Sequence, residues 1–332
     1  MSGSPDDLPR LIHEALEELG WDSNAASVAE RVRRLDIGLP AEDEFSVICA
    51  WLGRVELLHK LDQHQVPKMS KESFQVPDLL ARFDTQKNNR PLLIEVKTGN
   101  ENTLSFKPEY LERLQNYSTL MGMPLLIAWK YHSFWTLFEA RHLKLAVKNF
   151  NISFHDAMAE NLLTVLAGDV AYEIGPGSGV HLRAKKDELL SAEKLDSHTS
   201  EHWKMHIDKV EFTNRDGEVV DELSSETQSL LTVWDLEERQ DHDEDHIWLR
   251  YTAPTEVTEF GHRTLVRLLD WVRPSGQKIS WRRVARKEKL STIEDLRSAL
   301  SVAFDEKIIK YVFYLQPRTA PDFLNETELV NE

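Results

Sequence analysis

The residues of this chain best suited to chemistry are two carboxylates and a lysine: Asp78 in Pro77-Asp78, and Glu95 and Lys97 in Glu95-Val96-Lys97. The second group closes an apolar run, Pro91 to Ile94. Side chains alternate along a strand, so Glu95 and Lys97 share one face while Val96 points away into the core. Between the two half-motifs lies a polar stretch, Asp84 to Arg90, with the turn-prone pair Asn88-Asn89. A hairpin that pairs Phe83 with Arg90 also places Asp78 opposite Glu95. Like charges directly opposite destabilise a sheet unless a cation sits between them. Mg²⁺ meets that need, since it takes oxygen ligands and keeps several waters. It stabilises charge on a transferring phosphoryl group and makes a bound water a better nucleophile. A lysine beside it can position that water or balance charge on the phosphate oxygens. The chemistry expected is therefore metal-dependent phosphodiester cleavage. The bland alternative has Asp78 capping a turn and Glu95 and Lys97 as a surface pair on an edge strand. The apolar flanks Leu79-Leu80 and Leu92 to Ile94 argue against it, because they read as strands covered on both faces. Charges at the end of a buried strand call for a partner or a metal.

The elements that must position these residues follow from periodicity. Phe45 to Leu61 carries apolar residues at helical spacing, and Phe74 to Phe83 and Leu92 to Lys97 are strand-like. Pro108 to Leu120 predicts a helix, with Leu111, Leu114 and Tyr117 on one face. Gly122 closes it, and Pro124 to Trp129 reads as a buried strand.

In order and in residues this stretch resembles the PD-(D/E)xK nuclease superfamily, the restriction-endonuclease-like fold, and within it the archaeal-type Holliday-junction resolvases. The similar segments are Val76 to Ala81, Leu92 to Lys97, Tyr110 to Tyr117, Met123 to Lys130 and Phe134 to Glu139. Residues 44–145 are covered, under a third of the chain. The resemblance implies a mixed sheet flanked by helices, with Asp78 and Glu95 as metal ligands, the Val96 carbonyl as a further ligand and Lys97 as the catalytic lysine. It also implies Mg²⁺, with Mn²⁺ as a substitute, and DNA as partner, with a homodimer as the assembly. Members often add a glutamate from the preceding helix. Of Glu44 and Glu56, Glu44 is the better placed, since Glu56 falls near the helix exit; the bland reading of the 42–44 cluster is a first-turn acidic run matching the helix dipole. Gln115 is a polar candidate on the following helix, or simply an exposed residue.

A chain of 332 residues with 41% hydrophobic content and nine tryptophans suits two or three globular domains. The expected division is an N-terminal helical segment 1–40, a nuclease domain 41–168, a β-rich region 169–255 and a helical region 256–332. Helices are expected at Leu8 to Leu19 and Ala25 to Leu35. Ser153 predicts the N-cap of a helix reaching Ala167. Val170–Ile174 and Val180–Ala184 suggest a hairpin around Gly175 to Gly179, and Lys185 to His202 a helix or linker. A second hairpin is expected around Asn214 to Gly217, with strands at Leu230–Leu236 and Ile247–Thr252. The single cysteine, Cys49, excludes an internal disulfide and reads as a small buried hydrophobe. No charged-then-apolar leader precedes the first helix, and the apolar runs are too short to span a membrane. A cytoplasmic protein is expected.

The net charge of −16 runs against nucleic-acid binding, yet it is unevenly distributed. Asp216 to Glu259 holds fourteen acidic residues against two basic ones, whereas Gly261 to Leu290 holds nine basic against two acidic. The acidic run 235–246, with His242 and His246, reads as a solvated loop. Three helices and the strand Lys310 to Leu315 are compatible with a winged helix at the C-terminus. In it, Arg282, Arg283, Arg286 and Lys287 would contact phosphates. A helical subdomain or dimer interface is the alternative. The function expected is a metal-dependent DNA endonuclease acting on branched or structured DNA. The alternatives are a restriction, transposon-end or defence nuclease on the same core, or a non-catalytic nucleic-acid-binding protein on a vestigial nuclease fold.

Overall fold

The computed structural model describes residues 41–63, 65–85, 90–194, 199–255, 257–271 and 296–325. Helix α1 occupies 41–52 and ends at Gly53, whose φ of 90° suits a residue without a side chain. Strand β1 (Val55–Lys60) follows, then β2 (Leu79–Phe83), β3 (Leu92–Gly99), β4 (Thr103–Phe106) and helix α2 (Pro108–Met121). After them come β5 (Leu125–Tyr131), β6 (Phe134–Glu139), β7 (Lys144–Leu145) and β8 (Phe150–Ser153). Five of these strands form one mixed sheet in the order β1-β2-β3-β5-β6, in which only β3 and β5 run parallel.

Both faces of this sheet are covered. Phe45, Ile48 and Leu52 of α1 pack with Leu79, Ala81, Ile94, Val96 and Ala128 in one apolar cluster. Leu111 and Leu114 of α2 pack with Leu93, Ile127 and Trp129 in another. Burying each such side chain stabilises by about 1.5–3 kcal/mol. Helix α2 starts on Pro108 at its first turn and stops at Gly122, whose φ of 63° is the left-handed conformation that ends helices. The predicted helix over 45–61 is corrected. Gly53 terminates it, and Glu56 lies on edge strand β1, paired to Arg82 of β2 at 2.6 Å. Cys49 is buried among the apolar residues of α1, as expected.

Beyond the sheet the helix predicted from Ser153 to Ala167 divides into α3 (Phe154–Ala159) and α4 (Leu163–Leu166). Ser153 caps α3 as expected, accepting from the Asp156 N–H. Asn161 Oδ1 causes the division by accepting from Leu137 N–H at 2.9 Å and Leu163 N–H at 3.1 Å. Next come β9 (Ala171–Ile174), β10 (Gly179–Lys194), β11 (Thr199–Thr213), β12 (Val219–Val220), α5 (Ser225–Val233), β13 (Glu237–His242) and β14 (His246–Thr252). The described chain closes with β15 (Thr258–Phe260), α6 (Gly261–Trp271), α7 (Leu296–Asp305), β16 (Ile309–Phe313) and α8 (Asp322–Asn325).

Several expectations change here. The predicted hairpin over 170–184 does not form. β9 pairs with β15 and β16, whereas β10 pairs with β11 and β14. The strand pairing thus crosses the boundary expected between 255 and 256, and so does the packing of α5, before it, against α6 and α7, after it. Residues 185–194 and 199–202 belong to two long antiparallel strands rather than a helix or linker, and the 187–194 side chains are largely exposed to solvent. Residues 225–233 are helical, capped by Ser224 accepting from Thr227 N–H at 3.2 Å. Within the acidic run 235–246, Glu237–His242 is not a loop but strand β13, exposed and paired to β14 across the connection at 243–245. The turn at Asn214 to Gly217 forms as read from the sequence, with Gly217 at a φ of 78°. The basic helix on which a winged-helix reading depends lies outside the described residues, as does the segment 1–40. Among the described residues no helix is long and apolar enough to cross a membrane.

Candidate active site

Three ladder pairs, Leu79 with Ile94, Leu80 with Leu93 and Ala81 with Leu92, set the register of β2 on β3. Continued by one residue, that register places Asp78 opposite Glu95. Leu80 and Leu93 pack on the α2 side, while Leu79 and Ile94 pack on the α1 side. Alternation therefore directs Asp78, Glu95 and Lys97 to the α2 face together.

Glu95 is only 1% exposed and lies among charged and polar partners. Its Oε1 accepts from Lys97 Nζ and, at 2.5 Å, from the Tyr110 hydroxyl. Its Oε2 is buried and has no hydrogen-bond partner among the described residues. Asp78 Oδ2 accepts from the Val96 N–H at 2.7 Å, tying the two strands at the site. Burial, and next the Glu95 charge, push the Asp78 carboxyl up to about 6. Lys97 Nζ also lies 3.4 Å from the Val96 carbonyl and 3.4 Å from the Tyr110 hydroxyl, over the rings of Phe106 and Tyr110. Burial and then Glu95 hold the Tyr110 phenol well above its usual range, so it remains a donor.

Tyr110 was not singled out as a site residue from the sequence. The signal was present: it precedes Leu111 and Leu114 on the apolar side of α2, and a phenol there brings a polar tip to the strand it covers. Gln115, the residue chosen from that helix, is exposed.

The helix carboxylates are also redistributed. Glu44 is 6% exposed and accepts from Lys130 Nζ at 2.6 Å and from Trp135 Nε1 at 2.9 Å. Trp135 belongs to the α1-side cluster, so Glu44 is engaged on that side of the sheet. Glu56 is engaged with Arg82 on the edge strand. Glu42 is the α1 carboxylate on which the Asp78 charge acts; burial first of all raises its pKa, and it is paired to Lys60 at 2.8 Å. Arg282, Arg283, Arg286 and Lys287 lie outside the described residues. Breaking the Glu44 pair strands a buried charge, so Glu44→Gln is expected to lower stability by about 3 kcal/mol. Thermal unfolding with and without divalent cation checks this, and the loss should be the same in both.

Among the described residues no three His, Cys, Asp or Glu side chains converge into a complete metal cage. Asp78, Glu95 and the Val96 carbonyl nevertheless fit a hard divalent cation. The unpartnered, buried Oε2 of Glu95 supplies a carboxylate oxygen, and Asp78 is a second carboxylate, raised by burial and then by the Glu95 charge. Mg²⁺ sites commonly combine one or two carboxylates with waters and substrate phosphate oxygens.

The profile of the family described as archaeal Holliday junction resolvase (hjc) matches residues 67–170 of this chain. This bears out the resemblance read from the segments between Val76 and Glu139. Among solved structures, the Holliday junction resolvase Hjc of Archaeoglobus fulgidus is 24% identical, covering 36% of this chain and 89% of its own, with a TM-score of 0.29. No curated protein matches the chain.

Proposed function

We propose that this chain is a divalent-metal-dependent endonuclease that hydrolyses phosphodiester bonds in branched DNA. The observation that carries this reading is a buried glutamate, Glu95, with one oxygen unpartnered and Asp78 and Lys97 on the same sheet face. The match of residues 67–170 to a resolvase family supports branched DNA as the substrate class.

In this reading Asp78, Glu95 and the Val96 carbonyl hold Mg²⁺, for which Mn²⁺ substitutes. When bound, the cation supplies an activated water and positive charge beside the scissile phosphate. The remaining roles belong to the chain. Tyr110 grips Glu95 Oε1 and so leaves Oε2 directed to the ligand position. Lys97 bonds Glu95 and presents Nζ toward the phosphoryl oxygens, where negative charge develops. In this reading Glu42, which burial and the nearby Asp78 charge raise, is the helix carboxylate beside Asp78. A four-way junction has two related strands to cut, so a symmetric pair of chains suits paired incision.

The test compares a four-way junction with a linear duplex of the same arm sequence, each with Mg²⁺ and with chelator. Incision of the junction with Mg²⁺ is expected, near the branch point. Equal cutting of both substrates would remove branched DNA from the reading, and cutting that persists in chelator would remove the cation. Glu42→Gln should raise the Mg²⁺ concentration needed for half-maximal incision, and an unchanged requirement would exclude Glu42.

The pH dependence has a definite sign. Asp78 is raised, so at low pH it is protonated and binds cation poorly; incision should rise as pH increases through about 6. Cation competes with the proton, and more Mg²⁺ should move the rise to lower pH. A rate profile at two Mg²⁺ concentrations checks this, and an absence of any shift would assign the rise to another group.

A further inference from the structure

On the far side of the molecule a cavity of about 860 Å³ opens between α7, β16 and the turn at 214–217. A second, of about 310 Å³, continues it toward the start of β1, the two sharing Arg297 and Tyr314 in their walls. Together they make a groove at the end of β1 and β2 remote from Asp78, because β1 pairs antiparallel to β2 with Val55 at Phe83 and Lys60 at Leu79. The groove stands outside the carboxylate site and mostly outside the residues matched to the resolvase family.

Its chemistry is distinctive in a chain of net charge −16. Arg215, Lys310, Arg297 and Arg54 line it, and Asp216 is the single carboxylate among the described lining residues. Arg215 donates to the Ile309 carbonyl and Arg54 to the Val165 carbonyl, each at 3.3 Å, so both guanidinium groups meet neutral oxygens. Lys310 is paired with Glu173 at 3.1 Å and sits over the Tyr311 ring. Between the cations stand two open aromatic rings, Tyr311 at 50% and Tyr314 at 59% exposure. Large aromatics exposed singly need no explanation, but two beside four cations in one groove are a ligand chemistry.

We propose that this groove binds a single-stranded nucleic acid, with Arg54, Arg215, Arg297 and Lys310 at the phosphates and Tyr311 and Tyr314 under unpaired bases. Cationic grooves with aromatic platforms hold single strands, since every base has a face to stack. A duplex hides those faces and offers its grooves and backbone instead. The cavity size also falls in the range of sites for small ligands, which suits one or two nucleotides held closely and the rest of a strand running out over the surface.

The experiment uses the full chain carrying Lys97→Ala in chelator, so that strand binding is read without cleavage. Labelled oligodeoxyuridylate and oligouridylate, which differ only in the sugar, are titrated by fluorescence anisotropy. Binding of at least one is expected, and the tighter of the two identifies the sugar. Tyr311→Ala with Tyr314→Ala should weaken it by about tenfold or more. Tyr311→Phe with Tyr314→Phe, which keeps the rings, should bind as the parent does. Arg215→Gln should reduce the log–log salt slope by about 0.7 for the lost phosphate contact. No binding of either strand, or equal binding by the alanine and phenylalanine pairs, would overturn the assignment. Displacement of the strand by polyglutamate at lower concentration than by unlabelled oligonucleotide would overturn it in favour of an acidic peptide. Junction incision by the chain with Lys97 intact is scored separately, so failure here leaves the nuclease reading standing and the reverse also holds.

Discussion

Lys97→Ala should lower junction incision by about a hundredfold to a thousandfold, the scale on which removal of a single charge-stabilising donor acts. The chain should still fold and still bind the junction. Lys97 Nζ bonds Glu95 Oε1 and lies within reach of the Tyr110 hydroxyl, and its loss leaves Tyr110 still donating to that oxygen at 2.5 Å. Glu95→Gln should be as damaging by a different route, because it removes the anionic oxygen from the ligand position without changing side-chain size. The two variants are separable. Added Mn²⁺, which binds oxygen and nitrogen donors more strongly than Mg²⁺, should restore part of the Glu95→Gln activity and none of the Lys97→Ala activity. Single-turnover rates at saturating protein give the comparison. Full activity in Lys97→Ala would remove the lysine from the chemistry.

The largest stability loss is expected at Asp169→Ala, far from that chemistry. Asp169 and His262 are buried and bonded at 2.7 Å, and Asp169 also accepts the His262 N–H at 3.0 Å. It thereby satisfies a donor in the first turn of α6, where a carboxylate is also favoured by the helix dipole. His262 Nε2 in turn accepts the Trp135 N–H at 3.2 Å, so this chain of bonds joins β6 of the nuclease sheet to α6. The acceptor role of Nε2 assigns the proton to Nδ1, toward Asp169. Removing the carboxylate leaves a buried imidazole and a helix N–H without partners, at a cost of about 3–5 kcal/mol. Thermal unfolding should show a drop on the order of 10 °C. Asp169→Asn, which retains an accepting oxygen, should lose less; equal losses would show that only packing matters there.

Part of this protein is written locally. Alternation in Glu95-Val96-Lys97 decides that acid and lysine share a face, since strand side chains have a period of two. The polar span between Phe83 and Arg90 limits the hairpin registers, and the one that aligns the apolar residues also opposes Asp78 and Glu95. Pro108 and Gly122 bracket α2 because one supplies a helical φ and the other tolerates a left-handed one. These features depend on neighbours in the chain and are legible from residue types. The matched family segment is this same local run.

Other features were decided by contacts between distant residues. The partners of Glu44 are one case, since Lys130 and Trp135 claim it from far along the chain. Leu230 to Leu236 reads as a strand from its apolar run, yet packing against α6 and α7 makes residues 230–233 the end of helix α5. Val170 to Ile174 pairs with strands beginning at Thr258 and Ile309 instead of with its neighbour beyond Gly179. Gly175, Gly177 and Gly179 carry the chain away where an added Cβ would strike backbone atoms. Local pattern specifies the face and period of a strand, but its partner is chosen by the burial that the whole chain achieves, and that sum is not present in any window of the sequence.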